Sequence, residues 1–110
     1  MMNTELKTMD KAAVEAAFEK ACNAPIGPPG PAGCARIYVC VHGVDRKTIN
    51  AIAAACKKRN MIFQRKAYYS LSNAIYIGYS MHGREFAKGE AFAQALTEAG
   101  IPAYSTAEGD

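Results

Sequence analysis

The chain has 110 residues, of which 50% are hydrophobic and 21% are charged, with a net charge of +3 and four cysteines. This is the composition of one globular domain; it excludes a disordered chain, and no apolar run approaches the roughly 18 residues of a membrane span. Charged residues near the N-terminus leave no apolar core for a signal peptide, so we expect a cytoplasmic protein with free thiols.

The first 34 residues are predicted to form a helix and a linker. Residues 1–22 are assigned to an N-terminal amphipathic helix, whose helical part begins near Asp10 and ends at Cys22. Its apolar side chains recur at the i, i+3, i+4, i+7 spacing of one helix face: Val14, Ala17, Phe18 and Ala21. Residues 23–34 hold four of the five prolines, which exclude helix and central strand and predict a stiff spacer.

Residues 35–106 alternate between the sequence periods of strands and helices. Strands are predicted at 36–42, 61–69, 74–79 and 101–106, and helices at 45–59 and 84–99. Strand, helix, strand, strand, helix, strand is the ferredoxin-like order. We therefore expect an α+β fold, a βαββαβ two-layer sandwich preceded by the helix and linker, with residues 107–110 as an acidic tail.

Alternation along the strands predicts which side chains face the two crossover helices. In the first and third strands this set is Ile37, Val39, Val41, Ile75, Ile77 and Tyr79. The opposite set is Arg36, Tyr38, Cys40, His42, Ala74, Tyr76 and Gly78. Tyr38 and Tyr76 should therefore lie side by side on the helix-free face of the sheet.

Two short motifs resemble those of RNA-recognition-motif domains. Ile37-Tyr38-Val39 resembles their first-strand aromatic motif, and Tyr76-Ile77-Gly78-Tyr79 resembles the end of their third-strand motif. The resemblance implies that unpaired bases stack on Tyr38 and Tyr76. In the alternative interpretation, the N-terminal helix packs over both tyrosines and makes them part of a core.

No catalytic, metal or cofactor site is expected. Val41-His42-Gly43-Val44 resembles the phosphate loop of acylphosphatases, which makes such an enzyme a remote alternative, but Asp45 would place a negative charge in the loop. Cys40 and His42 form a single Cys-x-His, whereas structural zinc sites show paired ligands at short spacing.

The distribution of charge is the strongest functional feature. Residues 1–34 carry −1, residues 35–69 carry +7 and residues 70–110 carry −3. The middle segment predicts a basic face that attracts acidic partners. Its candidate binding residues are Arg46, Lys47, Lys57, Lys58, Arg59, Arg65 and Lys66.

These features support two functional hypotheses. In the first, the chain is a small non-enzymatic inhibitor or adaptor whose basic face docks on a larger protein or nucleoprotein complex, as the anti-defence regulators of phages and mobile elements do. In the second, it is a single-stranded nucleic-acid-binding module that uses the basic residues and the two tyrosines. No membrane partner is expected, and a homodimer is compatible with either hypothesis.

Overall fold

The computed structural model describes residues 6–31, 33–66 and 71–109. The elements in these ranges are α1 (Lys11–Cys22), β1 (Ala35–Val41), α2 (Arg46–Lys58), β2 (Phe63–Lys66), β3 (Ser72–Ser80), α3 (Arg84–Glu98) and β4 (Ala103–Gly109). The strands form one sheet in the order β2-β3-β1-β4, and every neighbouring pair is antiparallel. The protein is thus a small α+β domain with a four-stranded antiparallel sheet and three helices.

Two strand boundaries differ from the prediction. The second strand was expected over 61–69, but β2 covers Phe63–Lys66, and the rest of that expectation lies partly in 67–70, outside the described residues. β4 continues to Gly109, so residues 107–109 are part of the sheet. The expected acidic tail is wrong for these residues, because Ala107 and Glu108 lie opposite Ile37 and Arg36 of β1.

All three helices contribute to one core on one face of the sheet. The apolar stripe of α1 is buried there together with side chains of α2, α3 and the central strands. The ring of Phe18 meets that of Phe92 in α3 edge-on, with 5.7 Å between the centroids. The expectation that α1 covers Tyr38 and Tyr76 is therefore wrong, because its apolar stripe packs against α2 and α3 instead.

The segment before α1 is held against the turn between β1 and α2. The backbone N–H of Lys7 donates to Gly43 at 2.8 Å, and the N–H of Asp45 donates to the carbonyl of Lys7 at 2.9 Å. The Met9 N–H donates to Oγ1 of Thr48 at 2.9 Å. These bonds fix the N-terminal end of α1 against the start of α2, and the buried stripe fixes the rest of the helix.

A β-bulge in β3 changes which side chains reach each face. Ile37 pairs with Gly78 and Tyr38 pairs with Tyr76, so Ile77 is an extra residue in the ladder. The extra residue reverses the alternation beyond it. Gly78 consequently faces the helices, where a Cβ would lie 3.0 Å from Cγ of Glu85.

Tyr79 is displaced to the opposite face by the same bulge. It was expected to face the helices, but it lies opposite Arg36 and is 38% exposed. The prediction failed here because strict alternation assumes an uninterrupted ladder, which the bulge interrupts.

The proline-rich segment lies against α3 and is not a free spacer. The N–H of Gly30 donates to the carbonyl of Gly83 at 2.9 Å, just before α3 begins. Gly83 adopts φ 87°, in the left-handed region that favours glycine. Gly30 also lies against the ring of Phe86, where any Cβ would collide with the ring carbons.

Candidate binding surface

The two tyrosines proposed as a stacking platform do meet on the sheet face away from the helices. Their ring centroids are 5.5 Å apart and the ring planes are inclined by 60°. They form a second, smaller apolar cluster with Cys40, Leu71 and Ala74. Tyr38 is only 4% exposed, whereas Tyr76 is half-buried. A base therefore has no open access to the Tyr38 ring, and stacking on both rings is not available in this arrangement.

The buried thiols have the properties of inert side chains. Burial raises the pKa of the Cys56 thiol to about 12. Burial also raises the pKa of Cys40, although a hydrogen bond with Tyr104 works against the rise. Nucleophilic attack requires the thiolate, which both shifts disfavour.

Within the described residues, no three His, Cys, Asp or Glu side chains are grouped so that they could hold a metal ion.

Thiol labelling of the folded protein should distinguish the four cysteines. We expect Cys34, which is exposed, to react with iodoacetamide at neutral pH, and Cys22, which is exposed but whose pKa is raised by partial burial of its thiol, to react more slowly. Cys40 and Cys56 should stay unmodified until urea is added. Mass spectrometry of the intact chain and of its peptides would measure this. Rapid modification of Cys56 in the native protein would contradict its burial.

Two of the predicted binding residues hold α1 against α2. The guanidinium of Arg59 lies 3.1 Å from Glu15 and 3.4 Å from Glu19, and Nζ of Lys58 lies 3.3 Å from Glu15. Hydrogen bonding from Arg59, aided by Lys58, lowers the pKa of Glu15. The Arg59 side chain is only 16% exposed and also donates to the carbonyl of Ala55. Arg59 is therefore a structural residue, and Lys58 shares its partner.

The first turn of α2 carries two exposed cations, Arg46 and Lys47, and no acidic residue. The N-terminus of a helix has a partial positive charge, so cations there oppose the macrodipole. Their position therefore disfavours the helix, and helix stability does not explain their presence. Asp45, the N-cap, offsets part of this effect.

The N-cap of α2 already uses a backbone donor that a phosphate-binding loop would need. The Asp45 carboxylate accepts from the N–H of Thr48 at 2.9 Å and from its hydroxyl at 2.7 Å. It also accepts from the hydroxyl of Thr8, and these hydrogen bonds, of which that from Thr8 is the largest cause, lower the pKa of Asp45. The amide of Thr48, one of those an anion would use, already has an acceptor.

The cations of β2 divide between the two faces of the sheet. Nη2 of Arg65 donates to Oδ1 of Asn50 in α2 at 2.8 Å, so Arg65 lies on the helix side. Lys66, the next residue, lies opposite Ser72 and points the other way. The seven predicted residues thus do not form one face.

Asn50 is the centre of the part that does come together. Arg46 and Lys47 precede it by one helical turn, Lys57 follows it by two turns, and Arg65 bonds to it. We call these four exposed cations, Arg46, Lys47, Lys57 and Arg65, the α2–β2 basic surface. The sequence interpretation missed Asn50. The helical period places Asn50 on the outer side of α2, but nothing in the sequence indicates its contact with Arg65, which is 15 positions away.

No family model, curated protein or solved structure matches this chain. In the described part of the chain, no helix has both the length and the apolar character needed to cross a bilayer.

Proposed function

We propose that this chain is a small non-enzymatic interaction protein, an inhibitor or adaptor, that docks on an acidic surface of a larger protein or nucleoprotein complex. The α2–β2 basic surface makes the contact. The observation that carries this proposal is the pair of exposed cations, Arg46 and Lys47, at the helix end where cations are unfavourable. Because these two cations destabilise the helix end at which they lie, their presence indicates a role other than stabilising the fold.

The charge around the surface supports the same proposal. Among residues 6–31, 33–66 and 71–109, the carboxylates within ion-pair distance of a basic side chain are Glu15 and Glu19, and they serve Lys58 and Arg59. The cations of the α2–β2 basic surface remain available to an external acidic group. Cations of this kind raise the association rate with an acidic partner and favour its correct orientation.

We further propose that the fold is ferredoxin-like from β1 onwards. Read from the β4 edge, the strand order is β4-β1-β3-β2, and β1, α2, β2, β3, α3 and β4 follow one another as in a βαββαβ chain. The addition to that plan is α1, which packs against both crossover helices.

A protein partner fits the surface better than a single-stranded nucleic acid. Sequence-tolerant binding of single strands combines cations with exposed aromatic rings on which bases stack. Here Tyr38 is 4% exposed, and it lies on the face of the sheet opposite to α2. The cations and the tyrosines therefore do not form a single groove.

Charge reversal at the start of α2 separates binding from folding. We expect the double variant Arg46→Glu/Lys47→Glu to be more stable than the wild type by about 1 kcal/mol, since acidic residues in the first turn favour the helix dipole. The same variant should lose the partner. Urea denaturation measures the first effect. Affinity capture from nuclease-treated lysate, with each protein as bait, measures the second.

The matched control is Lys20→Glu/Lys88→Glu on α1 and α3, which makes the same change in net charge at two exposed positions that lie outside the first turn of a helix. This control should retain the nuclease-resistant partner. If both double variants retain it, the α2–β2 basic surface is not the contact. If nuclease abolishes capture, and a labelled single-stranded oligonucleotide binds with strong salt dependence, the nucleic-acid hypothesis replaces this one.

A further inference from the structure

The two edges of the sheet differ in protection. The described part of β2, Phe63–Lys66, carries two exposed cations, Arg65 and Lys66. Charged side chains on an edge strand are a usual means of preventing edge-to-edge pairing. β4 has seven residues, contains neither lysine nor proline, and carries Glu108 as its only charged side chain. Of the described strands, only β1 pairs with β4.

The hydrogen bonds at the start of β4 show which backbone groups point outwards. The N–H of His42 donates to the carbonyl of Pro102 at 3.1 Å, so Pro102 faces the ladder. The N–H and the carbonyl of Ala103 are instead bonded to Oγ1 of Thr97, at 3.2 and 3.1 Å. Because inward and outward residues alternate in an antiparallel ladder, Ser105 and Ala107 point away from β1, as Ala103 does.

We infer that β4 pairs with β4 of a second copy of this chain, antiparallel and around a two-fold axis at Thr106. In this register Ser105 pairs with Ala107 of the partner subunit, and Ala107 pairs with Ser105 of the partner subunit. Each of these pairs exchanges N–H···O bonds in both directions, which satisfies the outward backbone groups. The outward groups of Ala103 already bond to Thr97, so the paired segment ends there.

The side chains of β4 suit a copy of themselves. Thr106 lies opposite Thr106 of the partner subunit, and such threonine pairs stabilise antiparallel strands. The Glu108 carboxylate lies opposite the exposed Tyr104 of the partner subunit, not opposite its own equivalent, so no like charges meet. Tyr104 is 50% exposed in the single chain, and the pairing would cover part of its ring.

Dimerisation at this edge leaves the α2–β2 basic surface free. β2 and β4 are the two outer strands, so the joined sheet would run β2-β3-β1-β4 and then back in reverse order. The two basic surfaces would lie at its far ends. The dimer and the proposed function share no residue, and each can fail without the other.

Charge substitutions at the axis test the dimer. Analytical ultracentrifugation of the wild type at about 100 µM should give the mass of two chains, since a small polar edge contact supports micromolar affinity. Thr106→Lys alone and Thr106→Glu alone place like charges on the axis and should each raise the dissociation constant by roughly tenfold or more. An equimolar mixture of the two variants should recover the dimer, because opposite charges then meet.

Ala16→Lys is the matched control, because it adds the same charge at an exposed position on α1, outside the sheet, and should remain dimeric. Circular dichroism would show that every variant is folded. A wild type that stays monomeric, or Thr106→Lys and Thr106→Glu variants that each dimerise as well as the wild type, would overturn the proposal. Failure of the mixture to dimerise more tightly than either variant would also overturn it.

Discussion

The Phe18→Ala variant is expected to lose about 3–5 kcal/mol of its free energy of unfolding, the usual cost of removing a buried ring. Phe18 is 0% exposed. Its ring contacts that of Phe92 and lies under the guanidinium of Arg59, 5.7 Å from the ring centroid. The truncation would leave a cavity where all three helices meet. Urea denaturation followed by circular dichroism measures the loss.

Lys20→Ala is the control on the same helix, because Lys20 is exposed and its removal should change the free energy of unfolding by no more than about 0.5 kcal/mol. If Phe18→Ala costs no more than Lys20→Ala, α1 does not belong to the core. A second, separate unfolding transition for α1 would also contradict this arrangement, since the shared core implies one cooperative unit.

Gly83→Ala should destabilise the protein by about 2–4 kcal/mol, from backbone strain and from a steric clash. The backbone of Gly83 has φ 87°, which an alanine adopts only with strain. An added Cβ would collide with the backbone of Gly30, lying 2.9 Å from its carbonyl carbon. Either the proline-rich segment or the start of α3 would have to move. Urea denaturation gives the cost, and limited proteolysis shows whether residues 23–31 are released.

Gly27→Ala tests whether the effect belongs to the contact or to glycine in general. A Cβ at Gly27 would meet no atom within 4 Å, and its backbone is not in the left-handed region. The substitution should therefore be neutral or stabilise by up to about 1 kcal/mol, through the lower entropy of the unfolded chain. An equal loss for both variants would mean that the contact between Gly30 and Gly83 is unimportant.

The seven cations predicted to form one basic face have three different environments. Lys58 and Arg59 bind the carboxylates of α1, Lys66 lies on the far side of the sheet, and the remaining four form the α2–β2 basic surface. Counting charges along the chain could not separate these groups. The separation depends on where Glu15 and Glu19 lie, and they are about 40 residues distant in sequence.

The tyrosine pair shows how far the alternation of side chains along a strand predicts which face of the sheet each one occupies. It correctly placed Tyr38 and Tyr76 on the same face, because their pairing precedes the bulge. It could not indicate that Tyr38 is buried in a cluster with Leu71, nor that Tyr79 reverses sides. Burial depends on neighbours from other segments, and a bulge depends on the pairing of two strands.

The sequence alone predicted the hydrophobic periodicity of the helices and strands and where the first helix begins. Asp10, where the first helix was expected to begin, is the N-cap of α1, and apolar spacing identified the buried stripe of that helix. These are short-range effects, which depend on residues within one or two turns of each other.

Only the tertiary structure decided where α1 lies, which cations remain available, and which strand edge is open. Each depends on contacts between distant segments: Phe18 with Phe92, Arg59 with Glu15, and β4 with β1. The pattern of an amphipathic helix indicates that one face is buried, but it does not indicate which element that face packs against, because many apolar surfaces can cover it. The proposed function and the proposed dimer both depend on these contacts between distant segments.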